Sequence, residues 1–173
     1  MKLAALMKGV CVALPFLMTA ALPLFQAQAA GGNAAASLAG TWSLVAADVL
    51  HGDGSRGHDY GPSPRGMLFI DAEGRYSLQI FDSERRPFAN ADKLKATDAE
   101  YRAAVLGVSS HFGKVDVDPV KGTLDFHIAK SSFPNWEGTE QVRFYQLKAN
   151  ELSYRVPPRS NGDTPISVWR RVD

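Results

Sequence analysis

From Leu38 onward the chain is cut into short segments by turn-forming residues, and within many of them apolar and polar side chains alternate. A period of two puts neighbouring side chains on opposite faces of a strand. Tyr76, Leu78 and Ile80 interleave with Arg75, Ser77 and Gln79, which predicts one buried and one polar face. Asp71-Ala72-Glu73-Gly74 separates that segment from Gly66 to Ile70, with glycine where a positive φ is needed, so the pair reads as a hairpin. Further segments follow at 112–117, 123–130, 139–147, 151–156 and 165–172, and a first strand runs from Gly40 to about Leu50. There is no β-α-β rhythm and no internal repeat, which argues against a parallel sheet. An antiparallel sheet this long removes its exposed edges by closing on itself. The expected fold is mainly β: a closed antiparallel β-barrel of about eight strands with one α-helix packed against it. A two-sheet sandwich is the second choice.

The helix is marked by Thr97 and Glu100 at capping-box spacing, followed by Tyr101, Ala104, Val105 and Val108 as a narrow apolar stripe. Residues 51–65 read as a loop, because Gly52, Gly54, Gly57, Gly61, Pro62 and Pro64 oppose regular structure. A loop of that length suits a lid or a binding loop.

The start of the chain reads differently. Lys2 and Lys8 precede an uncharged apolar run from Gly9 to Phe25, and Ala27-Gln28-Ala29 offers small residues for cleavage. This is the pattern of a secretory signal peptide over residues 1–29, with export to the periplasm or beyond after cleavage near Ala29. Residues 30–37, rich in Gly and Ala, read as a flexible leader, and 38–173 as one domain. Cleavage removes two lysines from a chain whose formal net charge is only +1, so binding to nucleic acid or to an anionic membrane has no electrostatic support. The one cysteine, Cys11, leaves with the same segment, which excludes disulfides and thiol chemistry from the mature protein.

Chemistry gathers around Ser132 to Arg143. Pro134 and Asn135 end one strand, Gly138 ends the turn, and Thr139 begins the next strand. Asp125 and His127 share a face of the segment before the turn, and Gln141, Arg143 and Tyr145 share a face of the segment after it. Two readings stay open: these polar residues form one inward network, or they face water while Leu124, Phe126, Val142 and Phe144 face in. A one-residue change of register exchanges them. An inward Arg143 would need a partner, with Asp125, Glu137 and Glu140 the nearby carboxylates. Trp136 fits either the core or the rim of a pocket.

These residues carry a resemblance. Gly40-Thr41-Trp42 is similar to the Gly-x-Trp signature of lipocalins and other calycins. Together with Gly66, the 71–74 turn, the helix begun at Thr97, His127, Pro134-Asn135-Trp136, Gly138-Thr139, Gln141, Arg143 and Trp169-Arg170-Arg171, the chain resembles the bacterial lipocalin-like domain family from about Leu38 to Val172. The resemblance implies a barrel with a pocket, an inward polar network that includes His127, Gln141 and Arg143, and Trp42 stacked under Arg170 or Arg171. Where the family often has paired histidines, this chain has Phe126-His127, so a role needing two imidazoles is not implied.

The leading expectation is an exported protein that holds a small apolar or amphipathic molecule, with His127, Trp136, Gln141, Arg143, Tyr145 and Asp125 as ligand-binding candidates. The second is a cofactor-free isomerase or cyclase, with His127 as acid or base and Arg143 steadying negative charge. The third is a filled barrel that acts through its surface, as an inhibitor or envelope assembly partner. No cofactor is implied. His51, His58, Asp53 and Asp59 match no zinc spacing, so no metal site is expected. His111 is read as a complement to the helix C-terminus. No Gly-x-Ser-x-Gly elbow is present.

Overall fold

The computed structural model describes residues 34–172; the expected signal peptide, Cys11 and the first part of the leader lie outside them. Nine strands follow in order: β1 (Gly40–Leu50), β2 (Arg56–His58), β3 (Arg65–Ile70), β4 (Arg75–Phe81), β5 (Val108–Asp118), β6 (Thr123–Ser131), β7 (Glu140–Lys148), β8 (Glu151–Arg155) and β9 (Thr164–Val172). Every pairing between them is antiparallel, and β9 returns to β1 along most of its length. Eight strands therefore close the barrel. The three-residue β2 stands outside that ring, paired to the last three residues of β1, so the expected 51–65 loop contains a short strand.

Alternation sets the core. Leu68 and Ile70 of β3, Tyr76, Leu78 and Ile80 of β4, Leu124, Phe126 and Ile128 of β6, and Leu152 and Tyr154 of β8 are all buried. A bulge between Leu44 and Ala46 of β1 shifts the inward set from Trp42 and Leu44 to Ala47 and Val49, all four buried.

One end of the barrel is plugged. Residues 34–37, expected as leader, form with Leu38 a short helix α1 (Ala34–Leu38). Burial of Leu38 holds it in place, and the Trp42 indole donates to the Leu38 carbonyl at 2.9 Å. The Arg171 guanidinium sits 4.1 Å from the Trp42 ring and donates to the Ala39 and Ser37 carbonyls. Such a cation–π contact is worth on the order of 1 kcal/mol. Arg170, the other candidate for this place, points outward to Glu151. Gly40 is needed beside them: its φ is +136°, and a Cβ there would lie 2.7 Å from Arg171 Nη1.

Helix α2 (Asp98–Leu106) begins with the expected capping box, Thr97 and Glu100 each bonding the other's backbone N–H. Its apolar stripe does not reach the core, since no residue of α2 is buried. Tyr101 meets Phe88 edge-on instead, so the helix covers the 82–92 connection and meets the barrel at β5.

Replacing Gly40 with alanine forces a side chain onto a backbone conformation open almost only to glycine, at a cost of roughly 1–3 kcal/mol. Urea unfolding of Gly40→Ala is expected to show that loss in midpoint with an unchanged slope.

Candidate functional site

The polar site is set by how β6 pairs with β7. Leu124 lies opposite Arg143, Phe126 opposite Gln141, and His127 opposite Glu140. Residues directly opposite in an antiparallel pair share a face. Gln141 and Arg143 therefore face inward with Leu124 and Phe126, while Asp125 and His127 face outward with Val142 and Glu140. This corrects the expectation of one inward set. His127 is on the outer surface, where its ring nitrogens meet Asp116 at 3.0 Å and Glu140 at 3.5 Å. It has no access to the barrel interior and cannot serve there as acid or base. Asp125, also outward, is not available to pair with Arg143.

Inside, Arg143 is only 3 % exposed. Its Nη2 donates to Gln141 Oε1 at 2.9 Å and to His111 Nε2 at 3.3 Å. Its guanidinium carbon lies 4.2 Å from the Phe126 ring centre and 5.1 Å from that of Tyr154. No carboxylate pairs with it among the described residues, contrary to the partner expected from Asp125, Glu137 or Glu140. Glu137 is bound to Lys130 at 2.6 Å. The remaining guanidinium N–H groups are short of acceptors, and Arg143 Nε has none among the described residues.

His111 is the residue that sequence reasoning misplaced. It does not cap α2. It lies on β5 opposite Leu78, buried in the interior, because β5 starts at Val108 rather than at the expected Phe112. Its place was readable by stepping back in twos from Val117 and Val115, through Gly113, to His111. An Arg N–H can only donate, so His111 Nε2 accepts, and the ring proton sits on Nδ1 facing the Tyr76 hydroxyl at 2.8 Å. Burial, and then the Arg143 charge, push the His111 pKa down to about 3. The imidazole is neutral at pH 7. Burial also raises the Tyr76 and Tyr154 hydroxyls above the usual phenol value, with the nearby guanidinium opposing.

These groups stand at the base of a cavity of about 500 Å³. Leu78 and Ile80 of β4, Ser109 and His111 of β5, Gln141 and Arg143 of β7, Tyr154 of β8 and Ser167 of β9 contribute to its walls. On β1 and β4 the lining residues lie away from the α1 plug, at Ala47 and at Leu78 and Ile80. The mouth is formed by Asp59 and Tyr60 after β2, by the 156–159 segment after β8, and by Trp136. Trp136 lies on a 3-10 turn, Pro134–Trp136, half-buried, with its ring edge-on to His111 at 6.1 Å. It is a rim aromatic that also touches the core. Tyr145 faces in and packs on the core but does not line this cavity. The barrel is thus not filled throughout, the condition that action through the surface alone requires.

The loop histidines are engaged elsewhere. His51 meets Asp163 at 2.9 Å, and His58 meets Asp48 at 3.1 Å. Asp59 receives both terminal nitrogens of Arg159. The 51–65 segment is thereby tied across the mouth to the 156–163 segment. Among the described residues no group of three His, Cys, Asp or Glu side chains converges to hold a metal.

A family model described as a lipocalin-like domain matches residues 39–172. Neither the curated proteins nor the solved structures gave a significant match.

Acidification tests the buried histidine. Its folded pKa lies below the unfolded value near 6.5, so the unfolded chain takes up a proton first as pH falls. Stability is full above about pH 6.5 and declines as pH falls toward 3, by on the order of a few kcal/mol. Urea unfolding is expected to show this decline between about pH 6.5 and 5, and a flatter profile in His111→Gln, which keeps a neutral donor and acceptor.

Proposed function

We propose, since the chain belongs to the lipocalin-like domain family, that it is an exported protein that binds a small, largely apolar molecule inside the barrel. The observation that carries this reading is the cavity of about 500 Å³ beyond the core. That volume falls in the range of roughly 300–1,000 Å³ usual for small-molecule sites. Leu78, Ile80, Ala47 and Val156 supply apolar wall, while Arg143, Gln141 and Ser109 supply a few convergent polar groups. A shallower groove continues from the mouth past Tyr60, Ser109 and Trp136 to Leu106 and Phe133. It offers an apolar approach to the interior. Export is inferred from the signal-like pattern of residues 1–29.

Binding is favoured over catalysis by the state of His111. A base whose pKa is about 3, and whose accepting nitrogen already faces a guanidinium, is poorly matched to proton abstraction near pH 7. The enzyme reading that relied on His127 loses that residue to the outer surface.

The test is a neutral apolar probe. N-phenylnaphthylamine should brighten on titration into the mature protein and be displaced by the native ligand extracted from the host. Ser109→Phe, which fills the cavity from its wall, is expected to lower probe affinity at least tenfold while the protein remains folded by circular dichroism. Equal probe binding in the two proteins, or none in either, would sink the interior-binding reading.

A further inference from the structure

We infer that the interior site is built for a molecule that ends in a carboxylate, with Arg143 as its anchor and the apolar remainder directed toward the mouth. The inference rests on the interior-binding reading and specifies the chemistry of the ligand. Its origin is an imbalance of donors over acceptors at the base of the cavity.

Arg143 brings five N–H donors. Gln141 Oε1 and His111 Nε2 both engage Nη2 alone. Among the described residues Nε, buried, has no acceptor, and Nη1 makes no hydrogen bond either. Beside them the Tyr154 hydroxyl is buried next to Trp169 and Ser167. Burying a cation without a counter-charge is costly, because the guanidinium gives up its water. The faces of Phe126 and Tyr154 return part of that, and only part.

The other charged groups that line the cavity are already satisfied. Asp48 turns to Arg56 and His58. Asp59 and Arg159 neutralise each other. Glu140 lies on the outer face with His127. Arg143 is therefore the cation left unneutralised at the cavity, and His111, neutral, adds no second charge. With Nη2 engaged by Gln141 and His111, Nη1 keeps its N–H groups for a ligand, and a carboxylate meets it through a charge-assisted hydrogen bond. An alcohol, ester or hydrocarbon would leave the guanidinium unpaired, so the site should discriminate by charge and not by apolar bulk alone.

The experiment compares decanoate with decanol and methyl decanoate by displacement of N-phenylnaphthylamine at pH 7.5, in wild type, Arg143→Gln and Arg143→Lys. The expected result is that decanoate binds wild type at least tenfold more tightly than either neutral analogue. In Arg143→Gln the preference should fall to within about threefold. In Arg143→Lys it should be intermediate, since an ammonium keeps the charge and loses the planar fork. Thermal melts of all three proteins establish that each is folded. Decanoate and its neutral analogues binding alike in wild type, or a preference that survives Arg143→Gln, would overturn the carboxylate inference while leaving interior binding intact. Failure of the neutral probe itself to bind would instead remove the interior-binding reading.

Discussion

The register between β6 and β7 is the constraint on which the interior depends. Setting Leu124 against Arg143 and Phe126 against Gln141 leaves β6 in ordinary order, with apolar side chains in and polar ones out. It inverts β7. Arg143 is 3 % exposed while Phe144, next to it, is 66 % exposed. A strand that buries its arginine and exposes its phenylalanine loses apolar burial and pays desolvation of a charge. Inversions of this kind concentrate at functional sites, where local rules are broken and stabilised from elsewhere.

That stabilisation comes from several strands at once. Gln141 of β7 and His111 of β5 accept from the guanidinium, while Phe126 of β6 and Tyr154 of β8 lie beside it. His111 can do this only as a neutral ring, and its burial together with the adjacent cation keeps it neutral. Arg143 fixes the tautomer, and Tyr76 of β4 accepts the Nδ1 proton. A protonated His111 would set two like charges at 3.3 Å, which the low-dielectric interior strongly opposes. The far end of the barrel answers a different need. Trp42, Arg171, Gly40 and α1 close it with contacts whose charges and donors are largely spoken for.

The closed barrel was legible in the sequence because alternation and turn residues are local signals. Gly40-Thr41-Trp42, the capping box and the 71–74 hairpin were legible for the same reason. Facing across the β6–β7 turn was not. His127 pairs with Glu140, so odd-numbered residues of β6 share a face with even-numbered residues of β7. That parity is set by how many residues the 3-10 turn at Pro134–Trp136 absorbs, and composition does not encode it. Gln141 and Arg143 therefore reach the site that the sequence suggests, while Asp125 and His127 lie on the opposite face. His111 escaped because β5 begins directly after Gly107, with no polar loop to announce a strand. The stripe on α2 misled in another way: Tyr101 and Val105 have helical spacing but only a surface segment to pack on.

A crystal structure of the mature protein with decanoate tests the central claim most directly. The carboxylate is expected within hydrogen-bond distance of Arg143 Nη1, with the chain running past Leu78 and Ile80 toward Trp136. A head group held at the mouth by Arg159, or an alkyl chain lying against Arg143 with the carboxylate in solvent, would contradict it.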